Sequence, residues 1–181
     1  MEKRKMSWLY DERTKCWSFL TAMPIRDYLQ LIEKAHNSRG GISGQRDVLT
    51  TTTAKRIRSR MVSDLKLGAV LPPVVIGAVL DAEHFKKMPL ETATSAKDVL
   101  PEPDHTLSII DGMQRTAAMI EASKEDVSVG EKEVRVEFWL ADSVRAMIYR
   151  MLVLNTGQVP WTMSRQLSIV YAPLLEEIRT N

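Results

Sequence analysis

The segment that most constrains this chain runs from Leu107 to Met119: Leu-Ser-Ile-Ile-Asp-Gly-Met-Gln-Arg-Thr-Ala-Ala-Met. An apolar, strand-like run ends on Asp111-Gly112, and a helix-forming run begins at once. The chain must therefore turn from strand to helix within about two residues, a turn that glycine makes at little steric cost. The unpaired backbone N–H groups at such a helix start can receive an anion. Gln114 and Arg115 fall on its first turn. Arg115 brings a forked, permanently charged donor for phosphate to the point where the helix dipole also favours one. Asp111 has three open roles: capping the helix, orienting Arg115, or helping to hold a metal. The competing structural account is an Asp-capped helix with a surface arginine.

Around this joint the chain reads as a series of short elements. Cys16 to Leu20 alternates apolar and polar residues and predicts a strand. Pro24 opens a helix with Ile25, Tyr28, Leu29 and Ile32 on one face. Residues 37–46 form a glycine-rich loop. The threonine run 50–53 supplies N-cap candidates for a helix over about 52–67, buried through Ile57, Met61 and Leu65 and stopped near Gly68. The unbroken apolar run from Leu71 to Leu80 predicts a strand covered on both faces. Residues 81–105, polar and holding three prolines, read as a surface excursion. The strand ending at Ile110 is expected at the centre of the sheet, because Leu107, Ile109 and Ile110 need cover on both sides. Val134, Val136, Phe138 and Leu140 alternate with Arg135, Glu137 and Trp139 as a further strand. A helix over about 142–154, buried through Val144, Met147, Ile148, Met151 and Leu154, leads to a turn at Asn155-Thr-Gly157. A last helical stretch from Thr162 is interrupted at Pro173. This order predicts one α+β domain over the 181 residues, a mixed sheet flanked by helices rather than a doubly wound fold.

Composition closes off several classes. With 44% apolar and 27% charged residues the chain has the make-up of an ordinary globular protein, not of a disordered one. No apolar run approaches the roughly 20 residues that span a bilayer. The start, Met1 to Met6, carries charge with no apolar stretch behind it, so no signal peptide is expected, and the chain reads as soluble and cytoplasmic. One cysteine, Cys16, excludes an internal disulfide and a cysteine-based zinc site. Charge is uneven: residues 1–66 hold 14 Lys/Arg against 7 Asp/Glu, whereas residues 67–181 hold 11 against 16. A basic half can meet DNA or a nucleotide phosphate, or it can be a solvated helix face.

Three further groups are candidates. Gln45-Arg46 follows a Gly-Gly-Ile-Ser-Gly loop that lets backbone approach phosphate while Arg46 closes over it; the spacing is not that of a P-loop. Arg56 and Arg60, four apart, share one helix face and could lie on DNA phosphates. Asn155 either caps the end of its helix or points its amide back at the Asp111 loop. His36, His84 and His105 lack metal-ligand spacing.

Ile-Ile-Asp-Gly-Met-Gln-Arg-Thr-Ala-Ala resembles the DGQHR or DGQQR motif of the ParB/sulfiredoxin-like superfamily, which includes the DGQHR proteins of DNA-phosphorothioation systems and the DGQQR subunits of type IV restriction systems. Gly44-Gln-Arg46, the helix bearing Arg56-Ile57, and Leu71-Pro-Pro-Val-Val-Ile76 resemble the family's entry segment. Val134 to Leu140, the next helix and Leu154-Asn-Thr-Gly-Gln-Val-Pro160 resemble its closing one. The likeness covers about residues 40–172, leaving 1–39 as an extension. It implies a ParB/sulfiredoxin-like mixed sheet and a site of Gln45, Arg46, Gly112, Arg115 and Asn155 around a nucleoside triphosphate, with Mg2+ held through Asp111 or Asn155. If hydrolysis occurs, Asp111, Gln114 and Arg115 are the catalytic candidates. Met113 stands where the sulfiredoxin version has its nucleophilic cysteine, so that chemistry is rejected. The expected function is a nucleotide- or DNA-backbone-binding module of a bacterial DNA-modification or antiviral defence system, such as restriction-modification, alone as a homo-oligomer or with partner subunits. A non-enzymatic DNA-binding regulator and an interaction scaffold with a vestigial site remain as alternatives.

Overall fold

The computed structural model describes residues 7–37, 51–100 and 107–156. Five strands and five helices follow one another as β1 (Ser7–Asp11), β2 (Cys16–Pro24), α1 (Ile25–Asn37), α2 (Thr52–Lys66), β3 (Val74–Val79), α3 (Ala82–Lys86), β4 (Leu107–Asp111), α4 (Met113–Glu125), β5 (Glu133–Ala141) and α5 (Val144–Thr156), with 3-10 turns at Ala96–Asp98 and Val127–Glu131. The strands form one sheet in the order β1-β2-β5-β3-β4. β3 runs parallel to β5, and the other three pairings are antiparallel. The fold is thus mixed α/β, with a five-stranded mixed sheet flanked by helices, as the element pattern predicts. Among the described residues no helix is long and apolar enough to cross a membrane.

Period-2 alternation in the strands sorts their side chains onto two faces. On one, Phe19, Val74, Ile76, Ile109, Val136, Phe138 and Leu140 pack beneath α1, α2 and α4, which contribute Tyr28, Ile32, Val62, Leu65 and Met119. On the other, Cys16, Val75, Ile110, Trp139 and Ala141 pack with Met147 of α5. There Ser18 and the Trp139 indole both donate to Glu137 Oε1, at 3.2 and 2.6 Å, and the Arg150 guanidinium stacks 3.4 Å above the Trp139 ring. These contacts explain why Trp139 is buried on what reads as a polar strand face.

Local chemistry sets the ends of α2. Thr51 Oγ1 accepts from the amide of Ala54 at 3.2 Å, a cap whose loss typically costs about 1 kcal/mol. Gly68 leaves the helix at φ +92°, and Lys132 Nζ donates to the terminal carbonyls of Leu65 and Lys66 at 2.8 and 3.0 Å.

The structure corrects the sequence reading at several points. β1, which has no clean alternation, was not foreseen; it pairs with the first half of β2, from Cys16 to Leu20. Pro24 closes β2 rather than opening α1. On α2, Leu65 is buried and Met61 packs half-buried against the core as expected, but Ile57 is 52% exposed, and Ala54 and Val62 take up the inward face instead. On α5, Val144 is 54% exposed and Ile148 is also exposed, whereas Met147 is fully buried. α5 continues through Thr156, so no turn begins at Asn155. Residues 81–100 are not a surface excursion, because Met88, Ala93, Ala96 and Val99 are buried in the main core. Finally, β4 is at the edge of the sheet among the described residues, not at its centre. Ile109 and Ile110 are buried because helices cover both sheet faces; the two-sided burial comes from stacked layers, not from neighbouring strands.

The segment before β4 is tied down by Asp98, whose Oδ2 accepts from the amides of Thr94 and Ser95 at 2.8 and 2.9 Å. These amides, Thr94 first, hold its carboxyl below the usual aspartate value of 3.8. A depressed folded-state pKa stabilises the protein fully above the unfolded value, and that stabilisation disappears as pH falls through the folded one. Asp98→Ala should therefore lower the Tm by a few degrees at pH 7, and the gap from wild type should close as the pH drops below 3.8. A gap independent of pH would remove the charge from this account.

Candidate functional site

The strand-to-helix joint is built around Gly112. This residue is the N-cap of α4, with φ 109° and ψ 14° and no side-chain cap, so Asp111, the last residue of β4, does not cap the helix. A Cβ at Gly112 would lie 2.8 Å from Val74 Cγ1 and 3.3 Å from Arg115 Nη2. Glycine is therefore required by conformation and by space, because β3 and the arginine both close in on the turn.

Asp111 performs the second of its three candidate roles. Its Oδ2 accepts from Arg115 Nη2 at 2.6 Å, with the two side chains 39% and 21% exposed. The carboxylate holds the guanidinium over the Gly112 turn at the first turn of α4. Arg115 Nε is buried and has no hydrogen-bond partner, so the group is anchored at one nitrogen while another donor is unused. Behind it, Tyr28 of α1 and Thr116 of α4 share a buried hydrogen bond of 2.7 Å. Burial pushes the Tyr28 phenol far above the usual tyrosine range, against the opposing pull of Thr116 and the Arg115 charge. Tyr28 is thus a neutral hydroxyl that pins α1 to the first turn of α4. Met113 packs against the core.

On the other flank, Gln114 Oε1 faces Arg58 Nη1 of α2 at 3.5 Å, and Arg58 Nε lies 3.5 Å from Glu121 Oε2. The structure thus brings together Asp111, Gly112, Gln114 and Arg115, and adds Arg58, Tyr28 and Thr116, which sequence reasoning missed. Arg58 was legible only as one cation on a basic helix. Arg56 and Arg60 are exposed on the side of α2 opposite Arg58, since two positions turn about 200°. They do not belong to the Asp111 joint. Gln45 and Arg46 lie outside the described residues, as does the side chain of Asn155, whose backbone is in the last turn of α5. The shared site expected of these three segments therefore rests here on Arg115 alone.

A surface concavity elsewhere is lined by Asp81, Glu83, His84, Lys87, Pro89 and Asp98. Its polar groups are engaged locally: Asp81 caps α3 by accepting from the His84 amide at 2.8 Å, and Glu83 pairs with Lys87.

No family model, curated protein or solved structure matches this chain.

Proposed function

We propose that this chain is an anion-binding module that takes a nucleotide phosphate or a DNA backbone phosphate at the α4 N-terminus, within a ParB/sulfiredoxin-like fold and as part of a bacterial DNA-modification or defence system. The observation that carries the proposal is the Arg115 guanidinium, held by Asp111 over the Gly112 turn and still 21% exposed. A half-buried arginine beside helix N–H groups is a strong electrostatic complement to phosphate. The superfamily and the defence context come from the motif resemblance around Asp111 to Arg115.

The geometry supports binding and orientation of phosphate more directly than hydrolysis. Asp111 is engaged by Arg115, which leaves it poorly placed as a base or as a cation ligand. Among the described residues no group of three or more His, Cys, Asp or Glu is placed to hold a metal. A bound nucleotide would bring Mg2+ with it, and the ion would supply neutralisation of phosphate charge. A thermal-shift screen against ATP, GTP, CTP and UTP with magnesium tests the proposal. Stabilisation by at least one nucleotide is expected, and the absence of any shift with nucleotides or with duplex DNA would sink it.

A second reading, a DNA-binding regulator, is favoured by α2. Arg56 and Arg60 project from one exposed face, and among the described residues no ion pair holds either. Replacing both with Ala should weaken DNA binding and lower the slope of log K against log salt by up to about two units. An unchanged slope would take this helix off the DNA surface.

A further inference from the structure

We infer that the outer edge of β1 is a self-association surface, on which a second copy of this chain adds its own β1 antiparallel about a two-fold axis through Leu9. This inference is independent of the phosphate assignment of Arg115.

The edge is open. β1 ends the sheet, all five of its residues pair with β2 in an unbroken register, and among the described residues nothing pairs with its other side. Such an edge leaves the N–H and C=O groups of alternate residues without sheet partners, and proteins usually guard it with lysine, proline or a bulge. The three central residues of β1, Trp8, Leu9 and Tyr10, supply none of these. At the opposite end of the sheet, by contrast, the β3–β4 pairing carries a register shift. Leu9 is 70% exposed in the middle of β1, and Leu20, on the same sheet face of β2, is 50% exposed. The strand is also preorganised. Trp8 packs on Phe19 and Trp17, and Tyr10 on Trp17, with ring centroids 4.7, 6.3 and 4.8 Å apart. Little ordering entropy is therefore lost when a partner strand adds.

Charge and residue pattern select a second copy as that partner. Asp11 is the only charged residue of β1. A parallel pair would set it beside its own copy, whereas an antiparallel pair centred on Leu9 separates the two carboxylates by four residues, about 14 Å. The same register places Leu9 against its own copy, Trp8 against Tyr10 on the other sheet face, and the Ser7 hydroxyl opposite Asp11. Apolar and aromatic cross-strand pairs of this kind are stabilising, and β1 matches itself on both faces at once. An interface limited to one pair of five-residue strands is well below the roughly 1,200 Å2 of a stable complex, which sets the dimer in the weak range, with a Kd on the order of 100 µM. Association would join the two five-stranded sheets into one, with the Gly112 turn of each copy near a far edge.

Sedimentation of the full chain from about 10 to 500 µM tests the inference across that range. The average mass of wild type should rise from monomer toward dimer. Leu9→Lys, which puts a charge on the axis, should stay monomeric throughout, with a Tm within about 2 °C of wild type because position 9 is exposed. Leu9→Cys should form a disulfide-linked dimer on oxidation, since directly opposed residues of an antiparallel pair come close enough for the bond. The native Cys16 is fully buried and should not cross-link. Ser7→Cys should not either, because its two copies are also about 14 Å apart in this register. A wild type that is monomeric at the highest concentration overturns the inference. So does a dimer that persists in Leu9→Lys, which uses another surface, and so does cross-linking of Ser7→Cys in preference to Leu9→Cys.

Discussion

Gly112→Ala should destabilise the protein by about 3 kcal/mol, which for a chain of this size corresponds to a Tm drop of roughly 6–12 °C. Two effects combine at this one position. The backbone has φ 109°, a conformation that residues with a Cβ rarely adopt. The added methyl would also lie 2.8 Å from Val74 Cγ1 and 3.1 Å from Val74 Cβ. Val74 is fully buried in β3, so it has little room to retreat. The turn would have to open, carrying Asp111 and the first turn of α4 with it, and anion binding should weaken along with stability. Thermal denaturation checks the first consequence. A Tm within about 2 °C of wild type would mean that the turn relaxes cheaply.

Arg115→Ala should have the opposite profile, with a small effect on the fold and a large one on the ligand. Asp111 is 39% exposed, so water can take over its solvation once the guanidinium is gone, and a pair this exposed contributes about 1 kcal/mol or less. A phosphate bound by a fork of charge-assisted hydrogen bonds should lose roughly 100-fold in affinity without it. At a nucleotide concentration 100 times the wild-type Kd, ligand stabilisation should fall from about 2.7 kcal/mol to about 0.4 kcal/mol. In a thermal shift this reads as a ligand response of several degrees shrinking to about one. If the ligand-free variant itself melts more than 10 °C lower, Arg115 is a structural residue and the phosphate assignment fails.

The two variants separate what the joint does for the fold from what it does for a ligand, and the residues involved differ in how legible they were. Gly112 and Arg115 could be named from a linear pattern, because a strand running directly into a helix leaves few residues able to make the turn. Asp111 could be named, but not its role: capping and orienting are both open to an aspartate at that position, and the outcome depends on where the arginine rotamer finds space. Arg58 and Tyr28 were out of reach. Arg58 is 57 residues from Arg115 in the chain, and on its own helix it looks like any other cation of a basic run. Tyr28 reads as one more apolar position on α1, and its hydroxyl acquires a meaning only when α4 brings Thr116 to it.

The same division runs through the fold. Hydrophobic period and cap chemistry are properties of neighbouring residues, and they determined the existence of α1, α2, α4, β3 and β5, the start of α2 within the threonine run 50–53 and the exit at Gly68. The alternation from Val134 to Leu140 also determined which residues of β5 enter the main core. Sheet order, helix register and the cover of each face are set by contacts between distant segments, and these only the tertiary structure decided. Among the described residues β4 sits at the sheet edge, where layered helices bury it from both sides, a possibility that an apolar run cannot distinguish from a central position. α2 turns Ala54, Val62 and Leu65 inward with Arg58 half-buried beside Gln114 and Glu121 of α4, and leaves Ile57 exposed, a register that the packing of distant helices sets. Residues 81–100 lack any period of their own, yet Met88 and Val99 complete the core, since irregular backbone can bury side chains wherever a neighbouring surface needs filling.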